Sequence, residues 1–209
     1  MKNLLLGCLL LATFGAVSIQ ASSPGAVDTP APAVATKINW MTWEEAMTAS
    51  AEAPRKIMVD VYTDWCGWCK RMDKATFQNP RIARYVNANY YAVKLDAEQR
   101  DDLEYQGKTY EYVKRGGRGY HELAALITRG KLSFPTVVFM DEQQQPIQAI
   151  SGFQDAAQFE KIITYFGGNF HRKTPWATYQ KRYQPLRAKA KATTVPARVA
   201  PAREREAEN

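Results

Sequence analysis

Apolar residues fall into two periodicities along the middle of this chain. Lys56–Tyr62 holds Ile57, Met58, Val59 and Val61 in a nearly continuous run, as a strand buried on both faces requires. Residues 90–95, Thr136–Met140 and Pro146–Ser151 are further strand candidates. The polar turn at residues 141–145 makes the last two antiparallel partners, and the proline that opens the final one predicts an edge position. Phe159, Ile162, Ile163 and Phe166 recur instead at i, i+3, i+4 and i+7 behind the capping arrangement Asp155-x-x-Gln158, which predicts a last core helix ended by Gly167-Gly168. Other helices are predicted from Cys66, with Cys69, Met72 and Thr76 on one face until Asn79-Pro80 interrupts, and from Pro80 through Ile82, Ala83, Tyr85 and Val86. Residues 37–40 are a short strand candidate, after which Thr42-x-x-Glu45 forms a capping box for a helix running to about Ser50. Strand, helix, helix, strand from Lys56 onward is a βαβ crossover, so the fold class is α/β.

Residues 97–134 are less regular. Gln106-Gly107-Lys108 at the centre of residues 103–113 predicts a hairpin, Gly116-Gly117-Arg118-Gly119 a flexible turn, and residues 120–128 a helix. Trp176, Tyr179 and Tyr183 are spaced to pack as one more short helix against the domain. The expected organisation is a signal peptide over 1–21, a flexible linker rich in Ala, Pro, Ser and Thr over 22–36, and one domain over 37–168. An aromatic extension over 169–186 and a basic disordered tail over 187–209 follow it.

The termini set the compartment and explain the charge. Met1-Lys2-Asn3 is a basic start, residues 4–17 are apolar, and small residues follow at Ser18, Ala21, Ser22 and Ser23, which is a secretory pattern too short for a spanning helix. The expected location is periplasmic or secreted. Leu5-Leu6-Gly7-Cys8 resembles a lipidation box, the less favoured reading, because only four apolar residues precede Gly7. The net charge of +7 belongs to the C-terminal end, where residues 170–209 hold 10 Lys or Arg against 3 acidic residues. No nucleic-acid motif accompanies that charge, so nucleic acid is not an expected partner.

With Cys8 removed alongside the signal, Cys66 and Cys69 are the remaining thiols. They lie one helical turn apart directly after the buried strand. At a helix N-terminus, unpaired N–H groups and the helix dipole stabilise a thiolate, lowering a cysteine pKa from about 8.5 to between roughly 3.5 and 7.5. Cys66 is therefore the expected attacking thiol and Cys69 the resolving one. A bridge this short closes almost no chain entropy, which argues against a purely structural staple. Zinc would need four ligands, and His121 and His171 complete a poor set; a cysteine hydrolase would need a His partner and an oxyanion site. No metal and no cofactor is expected.

A C-x-x-C between a strand and a helix, followed by βαβ and ββα patterns, resembles the thioredoxin superfamily. Asp60 lies six residues before Cys66, Trp65-Cys66-Gly67-Trp68-Cys69-Lys70 is similar to the active-site segment, and Lys94 in Val93-Lys94-Leu95-Asp96 is placed like the lysine near the buried acid. Phe134-Pro135-Thr136 resembles the cis-proline loop, and Gly152 also fits. The resemblance covers about residues 37–168, and within the superfamily the chain looks most like exported bacterial members. It implies a thioredoxin-like fold, a central mixed sheet flanked by helices, with 97–134 as an insertion before the cis-proline loop.

The resemblance also implies roles. Cys66 and Cys69 exchange disulfides, Asp60 takes the Cys69 proton, and Lys94 is its charge partner. Phe134 and Pro135 offer an edge to an extended substrate, beside Trp65, Gly67 and Trp68. Trp68 departs from thioredoxin, which has proline there, and residues between the cysteines tune a potential that spans roughly −270 to −120 mV across the superfamily. The expected activity is thiol–disulfide exchange with cysteines of exported client proteins, reductase or isomerase-like before oxidase. Its partners would be those clients and a membrane or soluble thiol electron donor, with the chain acting as a monomer. A second class stays open, a peptide-binding or scaffold domain whose dithiol is a redox-switched clasp. The insertion, running directly into Pro135, is expected to border the site and select partners.

Overall fold

A computed structural model describes residues 37–114 and 116–186; the expected signal peptide, linker and basic tail lie outside the described residues. Five strands form the central sheet: β1 (Trp40–Met41), β2 (Lys56–Tyr62), β3 (Tyr90–Asp96), β8 (Thr136–Met140) and β9 (Pro146–Ser151). Their spatial order is β1-β3-β2-β8-β9. β3 pairs parallel with both β1 and β2, whereas β2 with β8 and β8 with β9 are antiparallel. The sheet is thus mixed, with β2 and β8 interior and β9 at the edge, the place a strand-opening proline demands.

Helices cover both faces. α1 (Trp43–Glu52) starts at the predicted capping box, where the Thr42 side chain accepts the Glu45 N–H and the Glu45 carboxylate accepts that of Thr42. α2 (Gly67–Met72) continues into a π-helical turn over Asp73–Phe77, and α3 (Pro80–Asn89) follows with Pro80 in its first turn. α5 (Ala156–Gly167) is capped by Asp155 and buries Phe159, Ile162, Ile163 and Phe166. One core cluster joins α3 and α5 to Met58, Val137 and Phe139, and the other joins α1 to Ile57, Val59, Val61 and Val93. β2 contributes to both, which explains its unbroken apolar run.

The structure corrects three elements. The first strand begins at Trp40, not at residue 37, because the Asn87 side chain takes the Asn39 N–H and the Lys37 carbonyl in place of a strand partner. Between β3 and β8, the predicted hairpin forms as β4 (Leu103–Tyr105) and β5 (Lys108–Tyr110), turning at Gln106 and Gly107, both at positive φ. A second hairpin was not foreseen: β6 (Tyr112–Val113) pairs with β7 (Tyr120–His121). The helix expected over 120–128 is therefore α4 (Glu122–Ile127) alone. Tyr120 and His121 are drawn into the hairpin, where the His121 N–H donates to the Ala97 carbonyl at 2.7 Å.

The aromatic extension packs on α5. A 3₁₀ turn (Phe170–Arg172) leads to α6 (Trp176–Arg182), whose Tyr179 hydroxyl meets Thr164 Oγ1 at 2.8 Å. Buried Glu160 accepts the Tyr183 hydroxyl at 2.6 Å and the Leu186 N–H at 2.7 Å, while Arg81 lies 3.6 Å away. No helix of the described residues is long and apolar enough to cross a membrane.

Candidate active site

Cys66 and Cys69 are joined in a disulfide at the head of α2. Cys66 is the N-cap residue, its backbone extended, and its Sγ accepts the Cys69 N–H at 3.0 Å. Both sulfur side chains are almost covered, yet the tryptophans beside them are not: Trp65 is 53% and Trp68 56% exposed. Trp68 tilts against Phe153 at 5.6 Å, with the Arg71 guanidinium 5.2 Å from its ring. Trp65 meets the edge of Phe134 at 6.0 Å, and the Phe134–Pro135 peptide is cis. Gly67 has open space beside its Cα.

The insertion reaches this face. Glu98 accepts the Trp65 indole N–H at 3.1 Å, and Arg118, from the turn between β6 and β7, lies 4.5 Å from the Trp65 ring and 3.9 Å from Glu98. Neither Glu98 nor Arg118 was legible as a site residue, because the pairing of Tyr112 with His121 that brings the turn back has no strong periodic signal. His121 and His171 do not approach the cysteines as a ligand set. His121 is buried as the N-cap of α4, its Nδ1 accepting the Leu123 N–H, and His171 packs on Tyr165 and Phe166.

Beneath the sheet surface the predicted acid and lysine meet. Asp60 and Lys94 are registered partners on β2 and β3, with Lys94 Nζ 2.7 Å from Asp60 Oδ2. Burial pushes the Asp60 carboxyl up to about 6, against the opposing pull of the ammonium. Its other oxygen, Oδ1, is buried without a hydrogen-bond partner among the described residues. Burial alone would lower Lys94, but Asp60 and Asp73 outweigh it and hold the ammonium above its ordinary value. The rings of Trp40, Tyr62 and Phe77 stand 4.9, 5.0 and 5.3 Å from Nζ, a cage that favours the cation. Asp73 and this cage were also missed by sequence reasoning: Asp73 and Phe77 reach Lys94 through the π-helical turn after α2, Trp40 and Tyr62 from β1 and β2.

A disulfide at the head of a helix, a cis proline, and a buried carboxylate on the central strand of a β1-β3-β2-β8-β9 sheet define the thioredoxin superfamily. Within it, the chain belongs to the family Thioredox_DsbH, described as "Protein of unknown function, DUF255", whose model matches residues 31–174. It is 27% identical over 144 residues to an uncharacterized protein of Caenorhabditis elegans, covering 60% of this chain and 20% of that one. It is 29% identical over 121 residues to the thiol:disulfide interchange protein DsbD of Pectobacterium atrosepticum, covering 57% and 18%. The chain therefore spans about a fifth of the length of these relatives. Among solved structures it is similar to a DsbH oxidoreductase (18% identity, TM-score 0.45, 68% of this chain and 92% of that one) and to a thioredoxin from Thermus thermophilus (18%, 0.48, 65% and 93%).

Proposed function

We propose that this protein is a thiol–disulfide oxidoreductase that exchanges the Cys66–Cys69 pair with cysteines of exported client proteins, working as a reductase or isomerase more than as an oxidase. The observation that carries this reading is the rim of the disulfide: two of the four large hydrophobic side chains exposed among the described residues, Trp65 and Trp68, flank the sulfurs. Such an apolar collar fits a client chain and has no value to a buried structural staple. The Phe134 backbone N–H and carbonyl are left unpaired among the described residues, so an extended client segment could pair there.

In this reading the reduced protein attacks a client disulfide through the Cys66 thiolate, and one client sulfur leaves as a thiolate. Cys69 then gives its proton to Asp60 and attacks Cys66, closing the internal disulfide and releasing the second client sulfur, which is protonated by solvent. Two electrons pass to the client, and a thiol donor restores the dithiol. The N-terminal pattern supports export, which places clients and donor outside the cytosol. Trapping tests the proposal: Cys69→Ala removes the resolving thiol and should accumulate mixed disulfides through Cys66. A scaffold with a redox-switched clasp would instead keep its partner in the Cys66→Ser, Cys69→Ala double variant, and that result would favour the second reading.

A further inference from the structure

Asp73 is a second carboxylate on Lys94, and neither the dithiol nor the strand pair accounts for it. It opens the π-helical turn four residues after Cys69, and its backbone N–H donates to the Cys69 carbonyl. Its Oδ1 contacts Lys94 Nζ at 2.5 Å, on an ammonium that already contacts Asp60 at 2.7 Å. One cation is thus divided between two carboxylates, one buried and one 40% exposed. Three aromatic rings stand around Nζ at 4.9, 5.0 and 5.3 Å. Asp73 and Lys94 also line a cleft of about 630 Å³ with Lys37, Trp40, Phe77 and Gln78, so this side of the cluster meets water while Asp60 does not.

We propose that Asp73 is a positioning residue: by holding the Lys94 ammonium it leaves Asp60 only partly neutralised, and so fits Asp60 to take the proton of Cys69 as that thiol attacks the mixed disulfide. The inference rests on the exchange reaction proposed above and names how its proton acceptor is adjusted. With both carboxylates ionised the cluster of Asp60, Asp73 and Lys94 carries one net negative charge, and a proton on Asp60 neutralises it. If Asp73 were uncharged, Lys94 would belong to Asp60 alone, the ion pair would close, and the carboxylate would bind a proton less readily. The groups around the pair come from several elements: Tyr62 from β2, Asp73 from the π-helical turn, Lys37 from across the cleft, and Glu44, Glu45 and Asp101 along a second cleft that Lys94 also lines. Asp73 is the carboxylate among them that contacts Lys94 besides Asp60, so its effect on Asp60 is separable by substitution.

The test is Asp73→Asn, read in two ways. Carboxyl ¹³C titration of the oxidised protein follows Asp60 with no client present, and the pH dependence of mixed-disulfide resolution follows the reaction. The Asn variant should move the Asp60 midpoint, and the acid limb of the resolution profile, to lower pH by about one unit. Asp73→Glu should restore both. An Asp60 titration unmoved by Asp73→Asn would overturn the inference, as would an unmoved resolution profile. Failure of the wild-type protein to resolve a mixed disulfide at any pH would instead count against the exchange function, and the titration would still judge Asp73.

Discussion

Lys94 Nζ lies 2.7 Å from Asp60 Oδ2, across adjacent parallel strands at a position where the two residues are direct register partners. The pair sits inside the sheet, with Asp60 1% exposed. Even with a cation in contact, burial dominates and the carboxyl titrates near 6, far above the 3.8 of a free aspartate. A paired carboxylate that served stability alone would be held low. This one is held high, in the range where it can accept and return a proton near neutral pH.

That elevation costs stability in a defined direction. The folded pKa of Asp60 exceeds its unfolded value, so the folded state binds the proton more tightly; its contribution is fully present below about pH 4 and is lost as pH rises through about 6. Asp60→Asn removes the ionisation. Its stability relative to wild type should therefore improve by about 2 kcal/mol between about pH 4 and about pH 7, measured by denaturant unfolding at each pH. The same variant should slow resolution of mixed disulfides by about 10²-fold or more, the scale of a lost general base.

Trp68 should act on clients more than on chemistry. It is over half exposed, supported by Phe153 below and Arg71 beside it, and so presents a rigid apolar face next to the sulfurs. Trp68→Ala is expected to raise KM for a folded or peptide disulfide about tenfold, the scale of one lost aromatic contact. Its effect on a small dithiol reagent should be much less. Steady-state kinetics with the two substrate types separate these outcomes.

The cysteine pair was legible from its spacing after an apolar run, while Asp60, Lys94 and Pro135 stood out through the resemblance to thioredoxins, and the structure places Lys94 on Asp60 and makes the Phe134–Pro135 peptide cis. The capping residues Thr42 and Asp155 were legible too, since a cap is a local interaction. What escaped depends on contacts distant in sequence. Arg118 and Glu98 meet at Trp65 only because a two-residue strand pair, β6 with β7, folds a glycine-rich turn back onto the site. Asp73 faces Lys94 only after the helix widens into a π turn, which no residue pattern in Asp73–Phe77 declares.

His121 illustrates a residue whose type suggested chemistry and whose position gives structure. Its Nδ1 accepts the Leu123 N–H at 3.2 Å, so Nε2 carries the hydrogen and donates to the Asp101 carbonyl at 3.1 Å. Burial lowers its pKa below the ordinary 6.5, and the folded protein holds it neutral. The unfolded chain takes the proton first, so this stabilisation is lost as pH falls from 6.5 toward the lower folded value. His121→Ala should cost about 2 kcal/mol at neutral pH, from the buried N–H and carbonyl left unpaired, and should cost less at about pH 5. Thermal unfolding at the two pH values checks both parts. The variant should keep the Cys66–Cys69 exchange in the fraction that remains folded.

The exchange function stands on the Cys66–Cys69 disulfide being a working redox pair. Its most direct measurement is the rate at which the protein accelerates reduction of a peptide disulfide by a small thiol donor, compared with the donor alone. Many turnovers per molecule are expected, with the rate abolished by Cys66→Ser and a single stalled mixed disulfide formed by Cys69→Ala. A rate equal to that of the donor alone, with Cys66–Cys69 unchanged throughout, would contradict it.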